Sequence, residues 1–259
     1  GTNAGLFSSS LGKKYLMALT GIVLIGFVFV HMAGNLQVLL GQDKINAYAH
    51  ALQSLPMPIL WGSRLFLLVC VVIHAWTAYS LIIENRKARP DKNEVEVTKR
   101  AGWSSLKMGL TGSILLAFIV FHLLHFTIRT IYPEYAEMTT TVGSTADVEI
   151  HDAFSMILAG FKHDIISIFY VVAMFLLCRH LAHGFSSVFQ SIGLRTEAWQ
   201  GKLDLIASGY AWLIFAGFSI IPLSVLAQKH GLYEFYDPSF FVSEASEKTN
   251  TSNLLNNES

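Results

Sequence analysis

Five long stretches of the chain are almost free of Asp, Glu, Lys and Arg, and this feature limits the possible folds more than any other. Each is long enough, or nearly so, to cross a bilayer core as a helix of about 20 residues. Because lipid offers peptide groups no hydrogen-bond partner, such runs must be helices and not open strands. The sequence therefore predicts an all-α fold, an integral membrane bundle in one transmembrane domain, with spans at 14–38, 60–83, 104–130, 164–190 and 204–228 and a polar tail at 229–259.

Composition supports a membrane protein and excludes several classes. Charged residues make up 14% of the chain, against about 25% in soluble domains, and the net charge is zero, so we expect membrane lipid and not nucleic acid as a partner. The chain has two cysteines, Cys70 and Cys178, and no C-x-x-C pattern. This excludes a disulfide scaffold, a cysteine-ligated iron–sulfur cluster and c-type haem attachment.

The charges divide unequally between the two sides of the predicted membrane. Segments on the side of the N-terminus carry 12 Lys and Arg against 6 Asp and Glu, and those on the other side carry 6 against 12. Since the cytoplasmic segments of membrane proteins are enriched in Lys and Arg, we expect a cytoplasmic N-terminus and an external C-terminus. Lys13 and Lys14 resemble the positively charged start of a signal peptide. The apolar run after them is longer than the apolar region of a signal peptide, so the first span is expected to be retained.

Two connecting segments are predicted to be more than turns. The stretch 41–58 has Ala, Tyr and Leu at helical spacing and ends in two prolines, which indicates a short interfacial helix. The stretch 133–162 is expected to lie along the outer surface, and the polar end 248–259 to be disordered. No internal repeat is evident.

Histidines carry the candidate chemistry, because ionisable residues within spans are costly and usually functional. The chain has ten histidines, and each of the first four spans has a candidate histidine well inside the membrane. These are His31, His74, His122 or His125, and His180 or His183. Since a helix rises by about 1.5 Å per residue, the histidines of the first and third spans lie near the outer face, and those of the second and fourth spans lie in the inner half of the membrane. Two pairs at two depths, each from alternate helices, are what two stacked haems with bis-histidine ligation require. The competing interpretation is that these histidines are hydrogen-bonding residues of the bundle interior.

With both axial positions filled, iron has no open site, so such haems transfer single electrons. The chain then resembles a known family, the single-chain, five-span, dihaem cytochrome b subunit of succinate:quinone oxidoreductases. The resemblance covers most of the chain and is carried by VHMAGNLQVLLGQDKINAYAHALQSLP (30–56), VIHAWTAYSLI (72–82), FHLLHF (121–126) and RHLAHGFSSVFQSIG (179–193). It implies that His31 and His122 hold the iron of an outer haem b, and that His74 and His180 hold that of an inner one.

Further residues receive secondary assignments. His125 and His183 follow proposed ligands by three residues and rank second as ligands, with hydrogen bonding to a propionate, carbonyl or water as the alternative. Arg179 is expected either to bind a propionate or to reach the inner surface. The remaining candidates are Lys13, Lys14, Trp103 and Arg195 for propionates or subunit docking, Gly21, Gly26, Gly34, Gly109 and Gly112 for helix packing or room for a porphyrin, and Gln37, His50 and Gln53 for a quinone.

The resemblance also implies partners, because the chain has no G-x-G-x-x-G motif and no cluster of cysteines. We expect a flavoprotein subunit, an iron–sulfur subunit that docks on the basic inner face, and a membrane quinone, menaquinone in preference to ubiquinone. No dicarboxylate chemistry, and no catalytic residue, is expected in this chain. The expected location is the bacterial cytoplasmic (inner) membrane.

Three alternatives stay open. The fumarate-reducing branch of the family uses a glutamate two residues before the inner ligand, where this chain has Cys178, and this favours succinate oxidation. A haem b subunit of a hydrogenase or formate dehydrogenase has a different arrangement of ligands. A transporter or channel, which would use the histidines as a proton or ion path, predicts no pigment.

Overall fold

The computed structural model describes residues 7, 9–87, 96–141, 149–191 and 193–241, and only the backbone of 96–106. Seven α-helices dominate this part of the chain. They are α1 (Ser10–Asn35), α2 (Gln42–Gln53), α3 (Met57–Lys87), α4 (Glu96–His122), α5 (Ala153–Phe161), α6 (Asp164–Ser191) and α7 (Glu197–Lys229). Short 3-10 turns cover Leu36–Leu40 and Pro133–Ala136, a π-helical turn covers Leu123–Thr127, and strands β1 (Thr139–Thr141) and β2 (Glu149–His151) form an antiparallel hairpin.

The predicted fold class is confirmed, since five of the described helices are long and apolar enough to cross a membrane. The chain is therefore a multi-pass membrane protein. The candidate spans cover Ser10–Leu40, Met57–Lys87, Lys107–Thr127, Asp164–Ser191 and Glu197–Lys229. The third ends three residues earlier than predicted, because the π-helical turn interrupts the regular helix and Arg129, at φ 62°, turns the chain away.

Four of the five spans form a ring. Helix α1 packs against α3 and α6, and α4 packs against the same two helices, so that α1 faces α4 and α3 faces α6 across the centre of the bundle. Helix α7 lies outside this ring, mainly against α6 and also against α1. Large apolar side chains such as Ile165 and Leu205 are exposed on the outside, as expected for a surface covered by lipid.

One end of the bundle is covered by α2, the hairpin and α5, which we call the cap. Helix α2 confirms the helix predicted within 41–58. The cap is joined by Asp152, whose carboxylate accepts hydrogen bonds from Gln42 at 2.9 Å and from Asn46 at 2.8 Å. The side-chain Oδ1 of Asn46 in turn accepts from the backbone N–H of Phe154 at 2.9 Å. Within segment 133–162, which is predicted to lie along the outer surface, most of α5 is buried, because these bonds hold it beneath α2 and against α6 and α7.

The opposite end of the bundle carries charged pairs. Lys13 is buried at the start of α1, where its Nζ binds the Glu84 carboxylate near the end of α3 and lies 5.8 Å from the centre of the Trp76 ring. Arg195 and Asp204 form an ion pair at 2.9 Å between α6 and α7. The predicted disordered end 248–259 lies outside the described residues.

Candidate functional site: two histidine pairs

His31 and His122 face each other across the bundle. They project from α1 and α4, and their ring centroids are 5.8 Å apart with the planes inclined by 78°. Phe27 stacks on the His31 ring at 5.3 Å, and Phe118 stacks on the His122 ring at 6.1 Å. This first pair is therefore enclosed by aromatic side chains.

His74 and His180 form a second pair on the other diagonal. They project from α3 and α6, with ring centroids 6.4 Å apart and planes inclined by 67°. Thr20 of α1 contacts the His74 ring, and Thr20 lies 11 residues before His31 on the same helix. The two pairs are therefore separated by about 16 Å along the helix axes.

The spacing of each pair fits two axial ligands of one metal ion. A metal–imidazole bond of about 2 Å places two opposed ligand nitrogens about 4 Å apart and the ring centres about 6 Å apart. Among the described residues, no group of three or more His, Cys, Asp or Glu side chains is placed to hold a metal. Two imidazoles are too few for a zinc site. They are sufficient for haem iron, because the porphyrin supplies the other ligands.

The second pair has its Nδ1 atoms occupied by hydrogen bonds. His74 Nδ1 lies 3.2 Å from the Met17 carbonyl oxygen and 3.3 Å from Thr20 Oγ1. His180 Nδ1 lies 3.4 Å from Thr111 Oγ1. A partner at Nδ1 fixes the ring orientation and leaves Nε2 as the coordinating nitrogen, the usual arrangement for a ligating histidine.

The first pair is less uniform. His122 Nδ1 lies 3.3 Å from the hydroxyl of Tyr170, which matches the pattern of the second pair. His31 differs, because its Nε2 lies 3.2 Å from the Asn35 amide nitrogen. Asn35 must give up this hydrogen bond if His31 Nε2 is to bind a metal.

Glycines lie beside the rings of the second pair. A Cβ atom on Gly21 would lie 3.5 Å from His74 Cε1, and one on Gly112 would lie 3.5 Å from His180 Cε1. The other glycines singled out in the sequence differ: Gly34 packs against the Tyr48 ring and Gly109 against Ile82, while a Cβ on Gly26 would meet no atom within 4 Å. Only Gly21 and Gly112, of these five, contact a predicted ligand.

The second-ranked residues separate into buried and exposed. His125 is fully buried in the π-helical turn, with Nδ1 2.9 Å from the Tyr170 hydroxyl and no described partner at Nε2. The Tyr170 hydroxyl thus lies between His122 and His125. His183 and Arg179 are both exposed on α6, whereas His125 is not.

Most of the peripheral candidates lie away from the pairs. His50 and Gln53 are exposed on α2, and Gln37 is half-buried in the turn after α1. Lys13 and Arg195 are held by Glu84 and Asp204, and Lys14 is exposed. The side chain of Trp103 lies outside the described residues.

The cap contains a histidine, His151, whose pKa is lowered. His151 Nδ1 lies 2.9 Å from the Met138 carbonyl oxygen, and the Arg129 guanidinium lies 3.4 Å from both ring nitrogens. Burial and, after it, the Arg129 charge lower the pKa of His151. His151 therefore favours the neutral form in the folded cap.

Sequence reasoning missed Thr20, Thr111 and Tyr170, the side chains that contact the ligand candidates. The first two carry a signal that the sequence does contain. Thr20-Gly21 precedes His31 by the same 11 residues by which Thr111-Gly112 precedes His122, a repeated T-G-x9-H pattern. Only the structure brings each Thr-Gly dipeptide against a histidine of another helix.

Comparisons of the chain with family models, with curated proteins and with solved structures give no match. The functional conclusion therefore depends on the geometry of the two histidine pairs and on the motifs of the sequence.

Proposed function

We propose that this chain is the membrane cytochrome b subunit of a succinate:quinone oxidoreductase. The observation that carries the proposal is the presence of two histidine pairs, His31/His122 and His74/His180, each spanning one diagonal of a four-helix ring with ring centroids about 6 Å apart. The assignment to this class of enzyme is supported by the sequence resemblance around the four histidines.

Each pair would bind one haem b through its two Nε2 atoms. When bound, the two haems supply single-electron transfer across the bilayer to a quinone, menaquinone in our proposal. The helices hold the rings at two heights, and Phe27 and Phe118 stack on the rings of the first pair. Thr20 and Thr111 contact the rings of the second pair at Nδ1.

The charge distribution orients the subunit in our proposal. The end of the bundle with Lys13 faces the cytoplasm and binds the iron–sulfur subunit, which in turn carries the flavoprotein. The cap faces outward. The second pair is then the inner site and the first pair the outer site, in a bacterial cytoplasmic membrane.

This orientation has an energetic consequence. Moving one charge through the membrane potential is worth about 2.3 kcal/mol per 100 mV, and an electron that moves outward from the negative side is assisted by that amount. The proposed direction, succinate oxidation with reduction of a low-potential quinone, therefore depends on the membrane potential. An uncoupler should slow succinate:menaquinone activity in energised vesicles, and an unaffected rate would exclude a transmembrane electron route.

The test uses the complex purified with its soluble subunits. We expect succinate to reduce a b-type pigment, seen as an α-band in the reduced-minus-oxidised spectrum. His230→Ala, at an exposed position just after α7, is the matched control and should leave this band unchanged, whereas His180→Ala should reduce it. A preparation without pigment would contradict the proposal and favour a transporter or channel.

The same preparation distinguishes the direction of the reaction. Cys178 is 2% exposed and occupies the position two residues before His180 where the fumarate-reducing branch has a glutamate. A thiol there does not supply the carboxylate of that branch, which favours succinate oxidation. Menaquinol:fumarate activity that exceeds succinate:menaquinone activity in energised vesicles would reverse this assignment.

A further inference from the structure

Two threonines occupy equivalent places in the bundle, and their contacts indicate a role beyond packing. We propose that Thr20 and Thr111 are positioning residues that fix the rings of His74 and His180 and strengthen them as iron ligands. This inference rests on the proposed haem-binding function.

The hydroxyl of each threonine has only one proton to donate. Thr20 Oγ1 donates to the Leu16 carbonyl at 2.7 Å, and Thr111 Oγ1 donates to the Lys107 carbonyl at 3.0 Å, in the turn before each residue. The remaining lone pairs then accept from Nδ1–H of His180 and, together with the Met17 carbonyl, from Nδ1–H of His74. This direction places the proton on Nδ1 and the coordinating lone pair on Nε2 of both histidines.

The arrangement occurs twice with the same atoms. In each case the threonine contacts Nδ1 of the ring, and a Cβ on the glycine after it would lie 3.5 Å from Cε1 of that ring. Each threonine also precedes a histidine of the other pair by 11 residues. Helices α1 and α4 therefore serve both sites in the same way, as ligand helices for the first pair and as supporting helices for the second.

Hydrogen bonding at Nδ1 increases the donor strength of an imidazole and so favours oxidised iron. A net hydrogen bond is worth about 1 kcal/mol, or roughly a fivefold change in an equilibrium constant. For a one-electron couple this corresponds to about 40 mV. Loss of the Thr111 hydroxyl should raise the midpoint potential of the inner haem by about this amount. Loss of the Thr20 hydroxyl should raise it by less, because His74 Nδ1–H keeps the Met17 carbonyl as an acceptor, and the outer haem should be unchanged in both cases.

The experiment is a redox titration of the intact complex carrying Thr20→Val, Thr111→Val or both. Thr77→Val is the matched control, because the Thr77 hydroxyl makes the same kind of bonds, to the Ile73 carbonyl at 2.8 Å and the His74 carbonyl at 3.0 Å, but contacts no ring nitrogen of the described residues. We expect each single variant to shift the inner potential, the double variant to shift it further, and Thr20→Ser and Thr111→Ser to restore it.

Several outcomes would overturn the inference. One is an unchanged inner potential in the double Val variant with the haem retained, and another is an equal shift in Thr77→Val. If the Val variants lose the inner haem, the Ser variants decide, since an inner haem at the wild-type potential supports the role of the hydroxyl and its loss contradicts it. If the wild-type complex contains two haems but the Val variants show no shift in potential, only this inference is removed. If the wild-type complex contains no haem, the proposed function is removed as well.

Discussion

The two histidine pairs have the same diagonal geometry but differ in how their rings are supported. In the His74/His180 pair, each Nδ1 contacts a threonine hydroxyl from an adjacent, uninterrupted stretch of helix. In the His31/His122 pair, the ring of His31 is bound by Asn35 through Nε2, the nitrogen needed for a metal. The His74/His180 pair thus leaves both Nε2 atoms available for a metal, whereas the His31/His122 pair must first give up a hydrogen bond, so the proposed inner site is the more preorganised of the two.

The surroundings of the two sites follow the same division. In the described part of the chain, the His74/His180 pair contacts Thr20 of α1 and Thr111 of α4, both within helical spans whose regular backbone fixes the positions of the side chains. The outer pair lies next to the cap and beside the π-helical turn after His122. Such turns often occur at functional sites, where they redirect side chains. The outer site is therefore expected to depend on the integrity of the cap, and the inner site to be independent of it.

Removing a ligand gives the largest expected effect. His74→Ala or His180→Ala should abolish the inner haem and leave the outer one, and His31→Ala or His122→Ala should do the reverse, because each haem needs both imidazoles of its own pair. Haem content per chain, with separate potentials from a redox titration, distinguishes these results. Loss of both haems from every variant would mean that the pairs are not independent sites.

A substitution in the cap should weaken the outer site selectively. Asn46→Ala leaves the buried Phe154 N–H without an acceptor, at a cost of about 1–3 kcal/mol, and removes one of two hydrogen bonds to Asp152 Oδ1, which keeps the bond from the Ser155 backbone N–H. We expect a lower thermal stability and earlier loss of the outer haem on heating. Gln42→Ala, which removes a half-buried bond to the same carboxylate, is the matched control with a smaller effect. Equal loss of both haems would contradict the division.

The opposite result is expected for Asn35. Because its bond to His31 Nε2 must break before a metal binds, Asn35→Ala should tighten haem binding at the outer site by up to about fivefold. Titration of haem into the haem-depleted chain measures this change, with the inner site as internal reference. Weaker binding in the variant would show that the amide supports the bound state.

The smallest effect concerns pH. The pKa of His151 is lowered from 6.5 in the folded cap, so below about pH 6.5 the unfolded cap binds more protons than the folded one. Cap stability is therefore complete above that pH and falls as the pH decreases through the folded pKa. Hydrogen exchange of the β1–β2 amides at pH 7.5 and 5.5 should show faster opening at the lower pH, and His151→Gln should reduce the difference. An identical pH dependence in the variant would exclude His151 as the cause.

The spans and the grouping of the histidines were accessible from sequence, because charge-free runs reveal membrane helices and residue counts give depth. The supporting contacts were not. Asn46 and Asp152 are 106 residues apart, and one threonine in an apolar helix resembles any other. The T-G-x9-H repeat is present in the sequence, but its meaning depends on Thr20 meeting α3 and Thr111 meeting α6, which only packing decides.

The central claim is that the two pairs are two haem sites. The most direct measurement is the haem-to-protein ratio of the purified intact complex, combined with its reduced-minus-oxidised spectrum. The account predicts two b-type haems for each copy of this chain. A ratio of zero would contradict it. So would a single haem that is retained both when His74 and His180 are replaced and when His31 and His122 are replaced.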